Sequence, residues 1–217
     1  MTLEEAQIWW RRALSDHLFV LCQTTMAVAI TKRTLAGYTG AEVNAIYLTK
    51  LLDRMEDKHR LARKLTNPET WKKEGERLKF DAVVGNPPYQ LMGGSGGTND
   101  APIYQNFVQL AKKVNPTYVS FIMPSRWFTT GRENLIGEFR REMLNDRSIS
   151  KMVVYTDSHD IFPSVEIKGG LCYFLMDSGY TGDCRYELVD DGERTIDMRN
   201  LGDFDILIRN AKLGEIV

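Results

Sequence analysis

Four consecutive residues, Asn86-Pro87-Pro88-Tyr89, have the types and spacing to hold an amino nitrogen in place. Each proline fixes its own φ and disfavours the helical conformation in the residue before it, so Asn86 and Pro87 should be extended and rigid. An exocyclic base amine is a poor nucleophile because its lone pair is delocalised into the ring. Two acceptors on its hydrogens, the Asn86 side-chain oxygen and the Pro87 carbonyl, would pull the nitrogen toward tetrahedral geometry. The lone pair could then attack a methyl group through positioning and electrostatics, without a strong base.

Tyr89 adds a flat surface on which a base can stack, and a base inside a duplex must be flipped out to reach it. The alternative interpretation of the four residues is a proline-rich turn in which Asn86 caps its own backbone. The sequence context favours the functional interpretation, because a short apolar strand, 80–84, is predicted directly before Asn86. Ligands of open α/β sheets bind just beyond the carboxyl ends of strands.

The second half of the chain alternates strand and helix signals, which predicts an α/β sheet with mostly parallel strands. The predicted strands are 80–84, 118–123, 151–155 and 171–176, and the predicted helices are 100–114 and 134–144. The last two strands are joined by a loop without a helix, so 171–176 should be antiparallel. Segments 185–189 and 194–198 are predicted to form a final hairpin.

The first half is predicted to be helical. Thr2 and Glu5 have capping-box spacing and open an apolar-periodic segment to about residue 36. A second helix is predicted from about residue 41 to residue 65. We therefore expect three regions: a helical N-terminal region (1–75), a catalytic core (76–180) and a β-rich extension (181–217).

Composition limits the partners and the compartment. The formal net charge is -1 and the pI is near 6.3, so any surface that binds nucleic acid must be a local basic patch. Arg126, which follows a predicted strand, and Lys168 are candidate phosphate contacts. The three cysteines and three histidines lack metal-ligand spacing, which predicts no metal site. With no signal peptide or membrane span expected, the predicted location is the cytoplasm.

Several segments together resemble the adenine-specific methyltransferases of restriction-modification systems. They are Phe80-Asp-Ala-Val-Val-Gly-Asn-Pro-Pro-Tyr-Gln90, Ile103-Tyr104 with Phe107, Tyr118-Val-Ser-Phe-Ile-Met-Pro-Ser-Arg-Trp127, Ile161-Phe-Pro-Ser-Val-Glu-Ile-Lys-Gly-Gly170 and Tyr173-Phe-Leu175. The resemblance covers about residues 76 to 180. It implies transfer of a methyl group from S-adenosyl-L-methionine to N6 of an adenine flipped out of double-stranded DNA.

The resemblance also assigns roles to individual residues. Asn86 and the Pro87 carbonyl would hold N6, and Tyr89 and Phe162 would stack on opposite faces of the adenine. Asn86 and Pro88 would lie beside the cofactor. The implied fold is an incomplete Rossmann-like methyltransferase sheet, mostly parallel with the last strand antiparallel, preceded by a helical N-terminal region.

The sequence departs from this family in one large respect. The family binds its cofactor mainly through a glycine-rich loop after the first strand, an acidic residue after the second and another near the third, all upstream of the catalytic motif. No Gly-x-Gly is present there. No target-recognition domain is visible either. We therefore expect a second chain, or a segment missing from this one, to supply the cofactor-binding and target-recognition parts.

Other functions stay open. Protein-glutamine and RNA methyltransferases use Asn-Pro-Pro-Tyr or close variants, although they normally lack the long segment around Phe162. A non-catalytic nucleic-acid-binding subunit or remnant would explain the missing loop. Glu166 and Lys168, with Asp157 and Asp160 upstream, match a nuclease-type motif only in part. The segment Gly93-Gly-Ser-Gly-Gly97 is interpreted as a lid beside the site and not as a phosphate loop, because it lacks the P-loop lysine.

Overall fold

The computed structural model describes residues 2–37, 39–90, 101–130 and 133–210. The chain divides into two compact units, residues 1–78 and residues 79–217. Each unit has its own secondary structure and hydrophobic packing.

The first unit contains a β-α-β arrangement. Helix α1 (Leu3–Arg12) begins at the predicted capping box, in which the Glu5 N–H donates to the Thr2 hydroxyl at 3.2 Å. A π-helical turn (Ala13–His17) leads to strand β1 (Phe19–Cys22), helix α2 (Thr25–Ala36) and strand β2 (Asn44–Tyr47). β1 and β2 pair in parallel. The prediction of uninterrupted helix over 2–36 and 41–65 is therefore wrong at these two strands, although helix predominates in this unit.

Short helices complete the first unit. They are α3 (Leu51–Arg54), a 3-10 turn (Met55–Asp57), α4 (Lys58–Leu65) and a second 3-10 turn (Pro68–Trp71). The Asp57 carboxylate caps α4 by accepting from the Arg60 N–H at 2.9 Å. The charged side chains of α4 lie on its exposed face, while Leu61, Ala62 and Leu65 are buried.

The second unit is built on a mixed sheet. Its strands are β3 (Ala82–Gly85), β4 (Tyr118–Pro124), β5 (Ile149–Tyr155), β6 (Leu171–Asp177), β7 (Cys184–Asp190) and β8 (Glu193–Arg199). Within the described residues their spatial order is β3-β4-β6-β5-β7-β8. β3 pairs with β4 and β5 with β7 in parallel, while β6 and β8 are antiparallel to their neighbours. Four of the six strands thus run one way, and the antiparallel β6 and the final hairpin are confirmed.

Two helices cover one face of this sheet. α5 (Tyr104–Val114) follows β3, and α6 (Glu138–Leu144) extends a π-helical turn (Glu133–Gly137). Alternate residues of β4, β5 and β6 meet these helices in one core, as the period of two in a strand requires. Helix α5 begins later than the predicted 100–114, because Pro102 forms an isolated bridge with Gln90. Residue 100, where the predicted helix begins, lies outside the described residues.

This topology brings the expected site segments to one end of the sheet. The parallel pairing places the carboxyl ends of β3, β4, β5 and β7 on the same side. The antiparallel β6 begins there, with Leu171 opposite Pro124 of β4 and Tyr155 of β5. The Asn86 motif, the segment after β4 and the loop before β6 therefore share one edge.

Candidate active site

The Asn86 to Tyr89 segment is fixed at both ends by main-chain contacts. It leaves β3 at Gly85, where a Cβ atom would lie 2.9 Å from the Phe121 ring, so the strand can approach β4 only with glycine. At the other end the Tyr89 carbonyl accepts from the Ile103 N–H at 3.2 Å. Pro87 is buried and Asn86 is exposed. The segment is thus anchored to its own sheet and to the start of α5, while the Asn86 side chain reaches solvent.

The Tyr89 side chain is half-buried and packs against the main core. Burial raises the pKa of its hydroxyl to about 12, the neighbouring Cys172 thiol adds to the rise, and the Asn86 side chain opposes it. Asn86 therefore lies close to the Tyr89 hydroxyl, yet no described residue forms a well-aligned hydrogen bond to that buried oxygen. The structure thus brings Asn86 and Tyr89 together.

The loop between β5 and β6 carries Phe162 and folds around Ser158. The Ser158 hydroxyl donates to the Val165 carbonyl at 3.0 Å and accepts from the Ile167 N–H at 2.8 Å. The Phe162 N–H donates to the Ser158 carbonyl at 2.8 Å, and the Phe162 side chain is half-buried. One buried hydroxyl therefore organises the loop from within.

The same loop is bound to the segment that follows β4. The Ser125 N–H donates to the Gly170 carbonyl at 3.1 Å, and the Ser125 hydroxyl donates to the Gly169 carbonyl at 2.5 Å. The Arg126 Nε donates to the Lys168 carbonyl at 3.0 Å. The Arg209 Nη2 donates to both the Gly169 carbonyl and the Ser125 hydroxyl. We call these five residues, Ser125, Arg126, Lys168, Gly169 and Arg209, the loop junction.

The predicted pair of stacking rings is not in contact. Among the described residues, no ring contact joins Tyr89 to Phe162. Tyr89 follows β3 and Phe162 follows β5, three strand intervals away, which is roughly 14 Å at the usual strand spacing. The loop junction continues the pairing of β4 with β6 past Pro124 and Leu171, and so ties the last residues of the β5–β6 loop to the segment after β4. The structure brings Arg126 and Lys168 together directly.

Two members of the junction were absent from the residues predicted to act. Arg209 is 84 residues from Ser125 in the chain, and no local pattern marks it. The sequence assigns no role to Ser125, whereas the structure buries it to 1% exposure and gives its hydroxyl two hydrogen bonds.

The described strands of the first unit end without the residue types expected in a nucleotide-cofactor site. β1 leads through Gln23 and Thr24 into α2, and β2 is followed by Leu48, Thr49 and Lys50. Neither strand end carries a glycine-rich turn or an acidic residue. The expected lid, 93–97, lies outside the described residues.

Metal-binding clusters and membrane-spanning helices are both absent from the described residues. Over 2–37, 39–90, 101–130 and 133–210, no cluster of His, Cys, Asp and Glu could hold a metal ion. In the partial nuclease motif, Asp157 accepts from the His159 N–H at 2.8 Å, while Glu166 is exposed. In the same residues no helix is long and apolar enough to span a membrane.

Comparison with known proteins identifies the family. The model of the Eco57I restriction-modification methylase family matches residues 16–162, about two thirds of the chain. The chain belongs to the Eco57I restriction-modification methylase family. The match confirms the resemblance found in the sequence. It begins at residue 16, upstream of the 76–180 that carried the resemblance, and so includes β1, α2 and β2.

Individual relatives agree with the family. The chain is 40% identical over 107 residues to an uncharacterized adenine-specific methylase of Mycoplasma pneumoniae, covering 48% of this chain and 25% of that protein. It therefore spans about a quarter of the length of this curated relative.

Solved structures share the fold. A modification subunit attributed to a type I restriction enzyme of Vibrio vulnificus YJ016 has a TM-score of 0.54 at 13% identity, covering 87% of this chain and 37% of that one. DrdV in complex with DNA has a TM-score of 0.54 at 15% identity, covering 88% and 25%. At such identities the likeness establishes the fold, and it confirms the Rossmann-like α/β class.

Proposed function

We propose that this chain is the catalytic portion of an S-adenosyl-L-methionine-dependent DNA methyltransferase of a restriction-modification system, which transfers a methyl group to N6 of a flipped adenine. The observation that carries the proposal is the rigid Asn86-Pro87-Pro88-Tyr89 segment at the carboxyl end of β3, with Asn86 exposed beside Tyr89. Membership of the restriction-modification methylase family supports it.

The chemistry assigned to the segment is the capture of an amino group. The Asn86 side-chain oxygen and the Pro87 carbonyl accept hydrogen bonds from the adenine N6 hydrogens. Their fixed positions hold the nitrogen lone pair toward the methyl donor, since the acceptors need no reorganisation at the moment of reaction. Tyr89 stacks on one face of the base.

Phe162 is proposed to close the other face of the adenine. A base held between two rings needs them about 7 Å apart, twice a van der Waals contact of about 3.5 Å between carbon atoms. The last residues of the loop that carries Phe162 are bonded to the segment after β4, the strand next to β3. Arg126 and Lys168 on that junction are proposed to contact the DNA backbone, which positions a nucleotide without reading its sequence.

The cofactor fits this chain only in part. Asn86 and Pro88 can form the wall beside the reactive end of S-adenosyl-L-methionine, which supplies the methyl group. The ends of β1 and β2, by contrast, lack the glycine turn and the acidic residue that would hold its nucleoside and amino-acid parts. We therefore propose that a further segment or a second chain completes the cofactor site and the target-recognition surface.

The substrate class is tested with the complete protein encoded by the full reading frame. Purified enzyme is incubated with tritiated S-adenosyl-L-methionine and with duplex DNA, structured RNA or a glutamine-containing protein, and the products are digested and separated by mass spectrometry. The proposal predicts N6-methyladenine in DNA. Label found only in methylglutamine or in RNA would assign the alternative substrates.

A second candidate is a non-catalytic nucleic-acid-binding subunit, and the glycine-free ends of β1 and β2 favour it. Calorimetric titration of this chain with S-adenosyl-L-methionine addresses it. We expect weak or no binding to the chain alone. If the complete protein also fails to bind the cofactor yet binds DNA, the non-catalytic role is the correct one.

A further inference from the structure

The loop junction concentrates positive charge at the end of the sheet that carries Asn86. Arg126 and Arg209 donate to the carbonyls of the successive residues Lys168 and Gly169, so both guanidinium groups lie beside the backbone from which the Lys168 side chain starts. Arg126 and Lys168 are exposed, and Arg209 is half-buried. A chain with a net charge of -1 therefore has a local cationic patch at its candidate site.

These cations lack acidic partners in the described part of the chain. None of the ion pairs formed there includes Arg126, Lys168 or Arg209. The nearest acid in sequence is the exposed Glu166. Because Arg209 is half-buried, its charge is partly desolvated, and a partly desolvated charge without a counter-ion is unfavourable. An anion that reaches the patch would relieve this cost.

The Arg209 charge also lies near the base-stacking tyrosine. Its guanidinium is close enough to Cys172 to oppose the rise in the pKa of that thiol, and the same thiol acts on the pKa of Tyr89. Tyr89 and Arg209 are therefore both neighbours of Cys172. The patch and Tyr89 also share the end of the sheet at which β3 and β4 finish and β6 begins, so a nucleotide whose base stacks on Tyr89 brings its phosphates to that end.

The backbone next to the loop junction is closely packed, which helps to hold a binding site in place. A Cβ on Gly170 would lie 2.1 Å from the Tyr155 carbonyl oxygen, so the backbone passes β5 at the closest distance that glycine permits. Arg209 also lies near the Phe128 ring, with its Cζ atom 5.7 Å from the ring centroid, and Phe128 is fully buried. The core thus holds Arg209 in place from one side.

We propose that the loop junction is a phosphodiester-binding site in which Arg126 and Lys168 contact one phosphate of the substrate strand and Arg209 is the residue that positions them. The inference rests on the proposed function, because it takes a nucleic acid as the ligand. It goes beyond the proposed function in two ways: it assigns a role to Arg209, and it has the two exposed cations contact the same phosphate.

Fluorescence anisotropy of the chain with a labelled DNA duplex, measured over a range of KCl concentrations, tests the site. Each phosphate neutralised contributes a slope of about -0.9 to log K against log salt. The combined variant R126Q/K168Q should weaken binding severalfold and reduce the magnitude of the slope by about 0.9, the value for one phosphate. Lys113→Gln removes an exposed charge at the end of α5 that leads into β4, away from this edge, and should leave the slope unchanged.

Arg209 is tested by a graded pair of variants. Arg209→Met removes the donors that hold Ser125 and Gly169 and should reproduce the loss seen in R126Q/K168Q. Arg209→Lys retains the charge and a donating nitrogen and should restore most of the slope. Because Arg209→Met could disturb folding, the R126Q/K168Q variant, whose side chains are exposed, gives the independent result.

Three results would overturn the proposal: no binding of the unaltered chain to either nucleic acid at low salt, a slope in R126Q/K168Q that is unchanged with both DNA and RNA, or an equal loss in Lys113→Gln. An RNA duplex forms a second arm of the experiment. If the same variants reduce the salt slope for RNA and leave DNA binding unchanged, the phosphodiester site stands while the proposed DNA substrate fails.

Discussion

Gly170 should be the least replaceable glycine of the described β5–β6 loop. Its φ is +76°, in the left-handed region that disfavours side chains, and a Cβ would lie 2.1 Å from the Tyr155 carbonyl oxygen and 2.8 Å from that of Thr156. Gly192, in the turn between β7 and β8, offers a matched control. Its φ is +79°, and a Cβ added there would have no atom within 4 Å. The two substitutions therefore share the same backbone strain and differ only in steric contact.

The expected loss in the free energy of unfolding follows from these contacts. Alanine in the left-handed region costs about 1–2 kcal/mol at either position. At Gly170 the backbone must also move away from the two carbonyls, which threatens the hydrogen bonds from the Ser125 N–H at 3.1 Å and to the Ile167 carbonyl at 3.0 Å. Each bond contributes about 0.5–1.5 kcal/mol. Gly170→Ala should thus lower the free energy of unfolding by about 2–5 kcal/mol, against about 1–2 kcal/mol for Gly192→Ala.

Hydrogen exchange of peptides from β5, from β6 and from the segment after β4, followed by mass spectrometry in increasing urea, measures both losses within the second unit. The excess loss in Gly170→Ala should appear together with faster exchange at Ser125. Equal losses for the two variants would show that the backbone around Gly170 yields easily, and would refute the rigid junction.

Three further predictions concern titrating groups. Burial raises the pKa of Tyr89 to about 12, so this tyrosine ionises at lower pH in the unfolded chain than in the folded one. The free energy of unfolding should therefore fall as pH rises from about 10 to about 12. Urea denaturation should show a smaller pH dependence in this range for Tyr89→Phe. Burial opposes ionisation of Asp146, but hydrogen bonds lower its pKa, and the largest of these contributions comes from Lys112. Lys112→Met should therefore shift the midpoint of acid unfolding to higher pH. An unchanged midpoint would contradict this. Burial raises the pKa of Cys172 and of Cys184 to about 12. Neither thiol should therefore react with iodoacetamide near pH 8 until the chain is denatured. Rapid labelling of the folded chain would show instead that the thiols are accessible.

Much of the second unit could be predicted from sequence because its strands are short apolar runs bounded by glycine, proline and asparagine. All six strand segments lie within a few residues of their predicted positions. The strand order could not be predicted, since the insertion of β6 between β4 and β5 depends on pairing between distant segments. The turn at Asp191-Gly192 is a local signal, and the hairpin it predicts is present.

The two strands of the first unit were missed for a physical reason. Each is only four residues long and lies in a sequence with helical apolar spacing. Part of what stabilises β2 is not local: the buried Asn44 side chain donates to the carbonyls of Leu14, Ser15 and Leu18 at 3.2, 2.7 and 3.1 Å. A polar residue that a sequence pattern places in a helix thus serves as a tertiary contact.

In the candidate site, too, residues within a short sequence motif could be predicted, whereas residues that depend on tertiary contacts could not. Asn86 to Tyr89 could be located from four adjacent residues whose chemistry is self-contained. Arg209 could not, because its contacts with Ser125 and Gly169 exist only after the sheet has formed. The separation of Tyr89 from Phe162 was also unpredictable, since it depends on the strand order.

The central claim is that Asn86 holds the reacting amino group, and it is tested most directly by methyl transfer with the complete enzyme. Asn86→Ala should abolish formation of N6-methyladenine in duplex DNA while DNA binding, measured by anisotropy, is retained. Asn145→Ala, at the exposed end of α6, serves as the matched control and should keep full activity. Undiminished N6-methyladenine in Asn86→Ala would contradict the account.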